Sequence, residues 1–328
     1  MRRVAVAGGL AGVCMLVLSG CSDDQNTLAP HSSAARSITT LWWVMFIGST
    51  IVVMVVTLLV VLAVLKRRGR LDRVESRGES PGARNVVLIS GALVPAVVLT
   101  ALFIYVLTTV PATAEPKPKD AKMEIDVTGK QWFWAVRYPA QRIKTANEIH
   151  IPVGVPVRIR AHTDDVIHSF WVPELNRKID MIPGYDNSVL LEADRAGVYR
   201  GQCAELCGLQ HANMAFYVVA QPRAAFNRWV AREQRPADTT AAGAKVFTQV
   251  GCGGCHTISG LSNGTIGPDL THVGGRMTLA AGTIPNAKGW LGGWILDPQH
   301  IKPGNKMPAL PVSGSQLQQL LSYLESLK

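Results

Sequence analysis

Cys203-Ala-Glu-Leu-Cys207-Gly-Leu-Gln-His211-Ala-Asn-Met214 gathers two thiols, an imidazole, a thioether and an acidic residue into twelve positions. Sulfur and imidazole are soft or borderline donors, which suit copper far better than magnesium, calcium or manganese. The spacing is too dense for a zinc ribbon, whose cysteine pairs stand well apart in sequence. Cys-x3-Cys followed by His-x2-Met instead suits two cysteines that bridge a pair of copper ions. Each copper then still needs an imidazole, so a second histidine must come from elsewhere. Upstream, His150 follows Glu148 in a polar strand edge, and His162 adjoins the turn-like Thr163-Asp164-Asp165. His168 lies in Asp165-Val-Ile-His168-Ser-Phe-Trp-Val-Pro173, where apolar neighbours keep water from a metal. It is the expected partner.

The texture around the loop is that of strands. Val127, Ile149, Val153, Val157-Arg-Ile-Arg160 and Val189-Leu-Leu191 fall in short alternating runs broken by Gly, Pro and Asn or Asp. This pattern predicts a β-sandwich or barrel. Residues 223–232 read as a short closing helix and 234–238 as a linker.

With these motifs in place, and with Lys130-Gln-Trp132-Phe-Trp134, residues 38–235 resemble subunit II of a haem-copper cytochrome c oxidase. The resemblance implies a Greek-key, cupredoxin-like domain over 117–235 that carries a binuclear CuA centre. Both thiolates would bridge both coppers. His168 and Met214 would serve one copper, His211 and the backbone carbonyl of Glu205 the other. The Glu205 carboxylate would help to hold a Mg2+ or Mn2+ shared with subunit I, as an acidic oxygen suits a hard cation. Trp132 would lie exposed over the copper site as the point of electron entry, with Phe133 as ordinary packing. A copper pair whose positions are all filled by protein has no open site for a substrate, unlike a catalytic metal. It is a relay.

Cys252-Gly-Gly-Cys255-His256 is the attachment pattern of a c-type haem. Cys252 and Cys255 would form thioethers and His256 would be the proximal iron ligand. Ile266-Gly-Pro-Asp-Leu270 resembles the haem-packing loop of class I cytochromes c, which implies a helical domain over 237–328. The sixth ligand must come from Met277, Met307, His272 or His300. Met277 follows Cys252 too soon to wrap round a haem, and Met307 stands where the family carries its methionine. Ser315-x-x-Gln318 can cap a last helix whose apolar side includes Leu317, Leu320, Leu321, Tyr323 and Leu324.

Of six cysteines, four are thus assigned, leaving Cys14 and Cys21. Met1-Arg-Arg3 and the apolar run to Leu18-Ser-Gly-Cys21 read as a signal peptide over 1–20 whose ending resembles a lipobox. Cys21 is then the lipidated residue, and a linker runs over 21–37. Residues 38–65 and 85–110 are apolar enough to span a bilayer. The basic loop 66–84 between them predicts a cytoplasmic side by the positive-inside rule. Residues 111–118 form a Pro/Lys-rich hinge. Together these predict a multidomain, multi-pass protein of a bacterial cell membrane, its two-helix hairpin in the lipid bilayer and both soluble domains on the outer face.

The net charge of +10 lies partly in that loop and calls for no nucleic acid. It also argues against a strongly acidic dock for basic soluble cytochromes. The resemblance as a whole is to oxidases of the caa3 type, in which a tethered haem c passes electrons to CuA within one chain. It implies subunit I, where O2 is reduced and protons pumped, and subunit III as partners. Cytochrome c or a membrane-bound c-type donor such as a bc1-type complex would supply the electrons. A copper-containing nitric-oxide reductase could use a similar subunit. A copper-delivery or thiol-redox protein leaves His168, Met214 and the haem motif unexplained. The segment Asn85-Val-Val-Leu-Ile-Ser90 lacks the carboxylate that such oxidases carry near the start of the second span.

Overall fold

The computed structural model describes residues 25–67, 81–109 and 121–328. The signal peptide, Cys14, Cys21, most of the basic loop and the 111–118 hinge lie outside the described residues. The chain divides into two compact bodies, Arg36–Ala114 and a second that joins Met1–Ala35 to Glu115–Lys328.

The apolar runs form helices. Helix α1 (Ser33–Arg67) begins where Ser32 Oγ accepts the Ala35 N–H at 2.9 Å, an N-cap that the apolar run alone did not mark. At 35 residues it is about 50 Å long, more than a bilayer's apolar core requires. The second run comprises α2 (Pro81–Leu88), a π-helical turn over Ile89–Leu93 and α3 (Val94–Thr109). Pro95 explains the widening, because it has no N–H to offer four residues back and its ring crowds that carbonyl. The Val94 N–H turns instead to Ile89 O, five residues back. Hydroxyls along both runs satisfy themselves on backbone carbonyls one turn earlier, as with Thr50 on Phe46 and Ser90 on Val86. Two stretches, Ser33–Lys66 and Arg84–Thr108, are long and apolar enough to cross a membrane.

The described residues of the second body contain ten strands of three residues or more, β1 (Met123–Lys130), β2 (Phe133–Tyr138), β3 (Ile143–Ala146), β4 (Glu148–Pro152), β5 (Val157–Thr163), β6 (His168–Trp171), β7 (Ile179–Met181), β8 (Asn187–Leu191), β9 (Gly197–Cys203) and β10 (Ala215–Gln221). They form two five-stranded sheets, ordered β3-β2-β1-β5-β8 and β4-β10-β9-β6-β7. Most neighbours are antiparallel, but β1 runs parallel to β5 and β4 parallel to β10. Alternate residues turn inward, most regularly in β5, where Val157, Ile159 and Ala161 are fully buried. Trp134, Phe170 and Phe216 fill the centre, with ring centroids 4.6–6.0 Å apart. Gly201 must be glycine, since a Cβ there would stand 2.2 Å from the Phe216 ring. Helix α4 (Arg223–Glu233) closes the sandwich with Phe226 and Trp229, the latter stacked on His150 at 4.3 Å.

A helical unit follows, with α5 (Ala242–Gln249), α6 (Lys288–Leu296), α7 (Pro298–Ile301) and α8 (Gly314–Ser326). Its core joins Phe247, Leu291, Leu320, Leu321 and Leu324. Helices α5 and α8 cross closely at Gly243, where a Cβ would meet Gln319 O at 2.3 Å. Leu320, Leu321, Tyr323 and Leu324 are buried as their spacing predicts. The cap is displaced: Ser313 and Gln316 form the capping box, so the Ser315/Gln318 expectation is wrong by two residues. Ser315 and Gln318 instead lie within the helix.

Candidate metal centres and the wall between them

His168 opens β6 and is fully buried. Its Nε2 meets Asp165 Oδ1 at 2.9 Å, which turns Nδ1 toward Cys203 Sγ at 3.7 Å. Asp165 is itself held by the backbone N–H groups of Gln131 and Val166, each at 2.7 Å. Gly129 lies under the imidazole, and a Cβ there would reach His168 Cδ2 at 2.9 Å. Cys203 ends β9, fixed by its N–H to Met214 O and by pairing with Phe170.

The loop that follows returns the other donors to the same point. Cys203 Sγ lies 3.2 Å from Glu205 O and 3.8 Å from Cys207 Sγ. Cys207 Sγ lies 3.7 Å from His211 Nδ1 and 3.8 Å from Met214 Sδ. Atoms each about 2.0–2.3 Å from a common ion stand about 3.3–3.8 Å apart, so these separations fit shared metal ligation. The two thiols, together with His168, already make a buried cluster within 4.8 Å.

The electrostatics suit a cation. A hydrogen bond from Cys207 holds Cys203 well below the ordinary thiol range, and the resulting anion pushes Cys207 up. A metal that binds both sulfurs would displace the thiol proton that remains. Burial works to lower the His168 value, but Cys203 and Asp165 outweigh it and raise it.

Trp132 is half-buried, not exposed as expected, because the helical unit packs over it. Its Nε1 donates to Cys207 O at 3.1 Å, and Gln131 Nε2 donates to the same carbonyl at 2.9 Å. Phe133 is likewise half-buried. The Glu205 carboxylate, nearly half exposed, lies 3.6 Å from Lys178 Nζ.

In the helical unit Cys252 and Cys255 flank a 3-10 turn directly after α5, and both are half-buried. His256 Nδ1 meets Pro268 O at 2.8 Å, which fixes the ring and leaves Nε2 as the free donor. The Ile266–Pro268 loop lies so close that a Cβ on Gly267 would meet His256 Cε1 at 2.5 Å. Cys252, Cys255, His256 and Met307 line one cavity, whose far wall includes Trp132 and Phe133 of the sandwich. The thiols, imidazole and thioether therefore fit a covalently held haem. The rival sixth ligands are placed elsewhere. Met277 offers its backbone N–H to Glu148 at 2.5 Å, and His272 Nε2 meets Glu233 O at 2.9 Å. Neither these two nor His300 lines the cavity.

Three residues of this region escaped the sequence reading. Asp165 stood inside the quoted histidine motif, three residues before His168, and that spacing was its signal. Pro268 stood in the quoted loop, but its use is through a carbonyl that no residue type announces. Lys302, which joins the two units, carries no sequence signal at all.

The family model for the periplasmic domain of cytochrome c oxidase subunit II matches residues 139–221, and that for cytochrome c matches residues 240–328. The cytochrome c oxidase subunit 2 of Alkalihalophilus pseudofirmus is 39% identical over 251 residues, 74% of this chain and 70% of that protein. That of Bacillus sp. strain PS3 is 31% identical over 260 residues, 74% of this chain and 72% of that protein. The crystal structure of the periplasmic domain of subunit II of cytochrome oxidase from Bradyrhizobium japonicum is 33% identical with a TM-score of 0.35. It covers 37% of this chain and 97% of that domain.

Proposed function

The chain belongs to the cytochrome c oxidase subunit 2 family, with a cytochrome c domain at its C-terminal end, and from that premise we propose that it is the electron-input subunit of the oxidase. A haem c and a binuclear copper centre supply reversible one-electron chemistry when bound, the first as acceptor from an external donor and the second as donor to subunit I. In this reading Cys252 and Cys255 would hold the haem covalently, and His256 and Met307 would bind its iron. His168, Cys203, Cys207, His211, Met214 and the Glu205 carbonyl hold the copper. The observation that carries the reading is the position of Trp132. Its ring stands in the wall of the haem cavity, while its Nε1 is bonded to the carbonyl of Cys207. Covalent and hydrogen-bonded atoms thus run unbroken from that wall to the Cys207 sulfur, which would bind copper.

The ligands work by staying still. Asp165 and Pro268 each lock one imidazole through its second nitrogen, so neither ring swings when charge arrives. The thioethers of Met214 and Met307 are weak donors that tune potential, and Met/His ligation raises that of a haem. Glu205 lends its carboxylate to a Mg2+ or Mn2+ at the junction with subunit I, in place of its ion pair with Lys178. The helices of the first body span the membrane, Cys21 is an outer lipid anchor, and both metal centres face outward. A c-type cytochrome, soluble or part of a bc1-type complex, is the donor.

The full chain loaded with copper and haem c tests this by electron paramagnetic resonance. One spin shared equally by two coppers is expected beside a low-spin His/Met haem. Cys207→Ser should abolish the shared spin and leave the haem spectrum intact. A signal from one isolated copper in the unaltered chain overturns the assignment.

A further inference from the structure

Lys302 is 2% exposed. Its Nζ donates to three backbone carbonyls, Asn213 O at 2.6 Å, Ala280 O at 2.8 Å and Trp132 O at 3.0 Å. An ammonium has three N–H bonds, and all three are used. No carboxylate is among its hydrogen-bond partners, and burial pushes its amine down to about 7, opposed only by the Cys207 sulfur, so its placement is costly. Within its own unit that cost brings little, because two of the three acceptors belong to the sandwich. These two are also special in position. Trp132 faces the haem cavity, and Asn213 directly precedes Met214.

The contacts around Lys302 follow the same plan. Gln210 Nε2 donates to Pro303 O at 2.6 Å, and the Ala215 N–H donates to Ala281 O at 2.9 Å. Leu209 lies against Gly304, where a Cβ would stand 2.5 Å from Leu209 Cδ2. Two short loops of the helical unit, 280–282 and 302–304, therefore grip both flanks of the His211–Met214 segment. In the first of them Ala280 and Ala281 have φ of 52° and 59°, in the left-handed region that residues with a Cβ avoid. Such backbone is retained where surrounding contacts over-determine it.

We propose that Lys302 is a latch that holds the haem-bearing unit in one fixed pose over the copper loop, and so is a positioning residue for transfer between the two centres. This rests on the function proposed above. It adds that the pose is built in, not reached by random collision of a tethered domain. With the latch closed, Trp132 is half-buried and faces the haem cavity, so an external donor delivers to the haem unit and not to the copper loop.

Lys302→Met in the full, metal-loaded chain is the test. The shared copper spin and the low-spin haem spectrum should be unchanged, because no ligand is altered, and rates are compared at the midpoint potential measured for each variant, since removing a cation from the cavity wall lowers it. Loss of those signals in the unaltered chain would instead reject the underlying reading. With the signals intact, photoinduced haem-to-copper transfer should slow about tenfold, as expected when a reacting pair loses its fixed orientation. Amide exchange at Ala215, which reports the Ala281 contact, should quicken about tenfold. Lys302→Gln, which is neutral but can still donate to two carbonyls, should fall between the two and guards against a folding defect. Unchanged rate and Ala215 protection in either folded variant overturn the proposal. So does an Ala215 amide that already exchanges as an open strand edge in the unaltered chain.

Discussion

Which nitrogen of His168 faces the thiols is decided by Asp165, through the 2.9 Å contact to Nε2. Its charge comes from burial set against three hydrogen bonds. Burial raises the carboxyl, but the Gln131 and Val166 amides and His168 outweigh it and lower the value, so the group stays an anion. Asp165→Asn removes that anion while keeping the shape. Partners of this kind govern affinity by about 10–100-fold, so copper should pass to a competing chelator faster by about that factor. Retention equal to the unaltered chain would show that Asp165 only packs. Gly201 is a second single-residue dependence, of a structural kind. Gly201→Ala drives a methyl into the Phe216 ring and should cost about 1–3 kcal/mol as overpacking does, read as a lower denaturant midpoint. The cluster of Cys203, Cys207, His211, Met214 and His168 was legible because residue type and spacing carry it. Asp165 was legible in principle, as a carboxylate three residues before His168. Lys302 was not, because its partners are carbonyls distant in sequence, and carbonyls carry no residue signature.

At the scale of elements, periodicity was the readable part and ends were not. The buried face of α8 follows from helical spacing, since residues three and four apart share a side. Its start does not, because Ser313-x-x-Gln316 and Ser315-x-x-Gln318 both fit a capping box in overlapping registers. Packing chooses the earlier one, in which Ser313 Oγ accepts the Gln316 N–H and Gln316 Oε1 accepts the Ser313 N–H. The pair of serines gives a paired test. Ser313→Ala should lower stability by about 1 kcal/mol as the loss of an N-cap does, whereas Ser315→Ala should stay within about 0.5 kcal/mol. Denaturant melts followed at the haem band separate the two, and equal effects would return the cap to Ser315. The π turn before Pro95 belongs to the same class of feature. A proline inside an apolar run announces a disturbance, but not whether the helix kinks, breaks or widens. Strand alternation was likewise sufficient for a sandwich, whereas the parallel pairings of β1 with β5 and β4 with β10 depend on contacts distant in sequence.

At the scale of the molecule, the question is whether electrons meet the copper loop by encounter or by construction. Domain content and cofactor chemistry could be read from motifs, but the pose of one unit on the other could not, as it depends on Lys302, Gln210 and the 280–282 turn. That pose has a consequence in salt. Charged partners that meet through solvent feel one another over about 10 Å at ordinary ionic strength, and added salt removes that attraction. A protein of net charge +10 that receives electrons from a separate carrier should therefore show a salt-dependent second-order reduction of its haem. In the proposed relay the step between haem and copper needs no such encounter. The contacts joining the units are mainly part-buried hydrogen bonds between side chains and backbone, with one backbone pair from Ala215 to Ala281 and some apolar packing, and the Lys306–Asp165 pair at 3.8 Å is partly exposed. Screening acts weakly on buried groups and can remove little beyond that one pair. Flash-photolysis rates measured over about a tenfold range of ionic strength should accordingly separate, the external step changing severalfold and the internal step staying constant. An internal rate that follows salt in step with the external one would mean that the haem unit undocks between turnovers and finds the copper loop by diffusion on its tether.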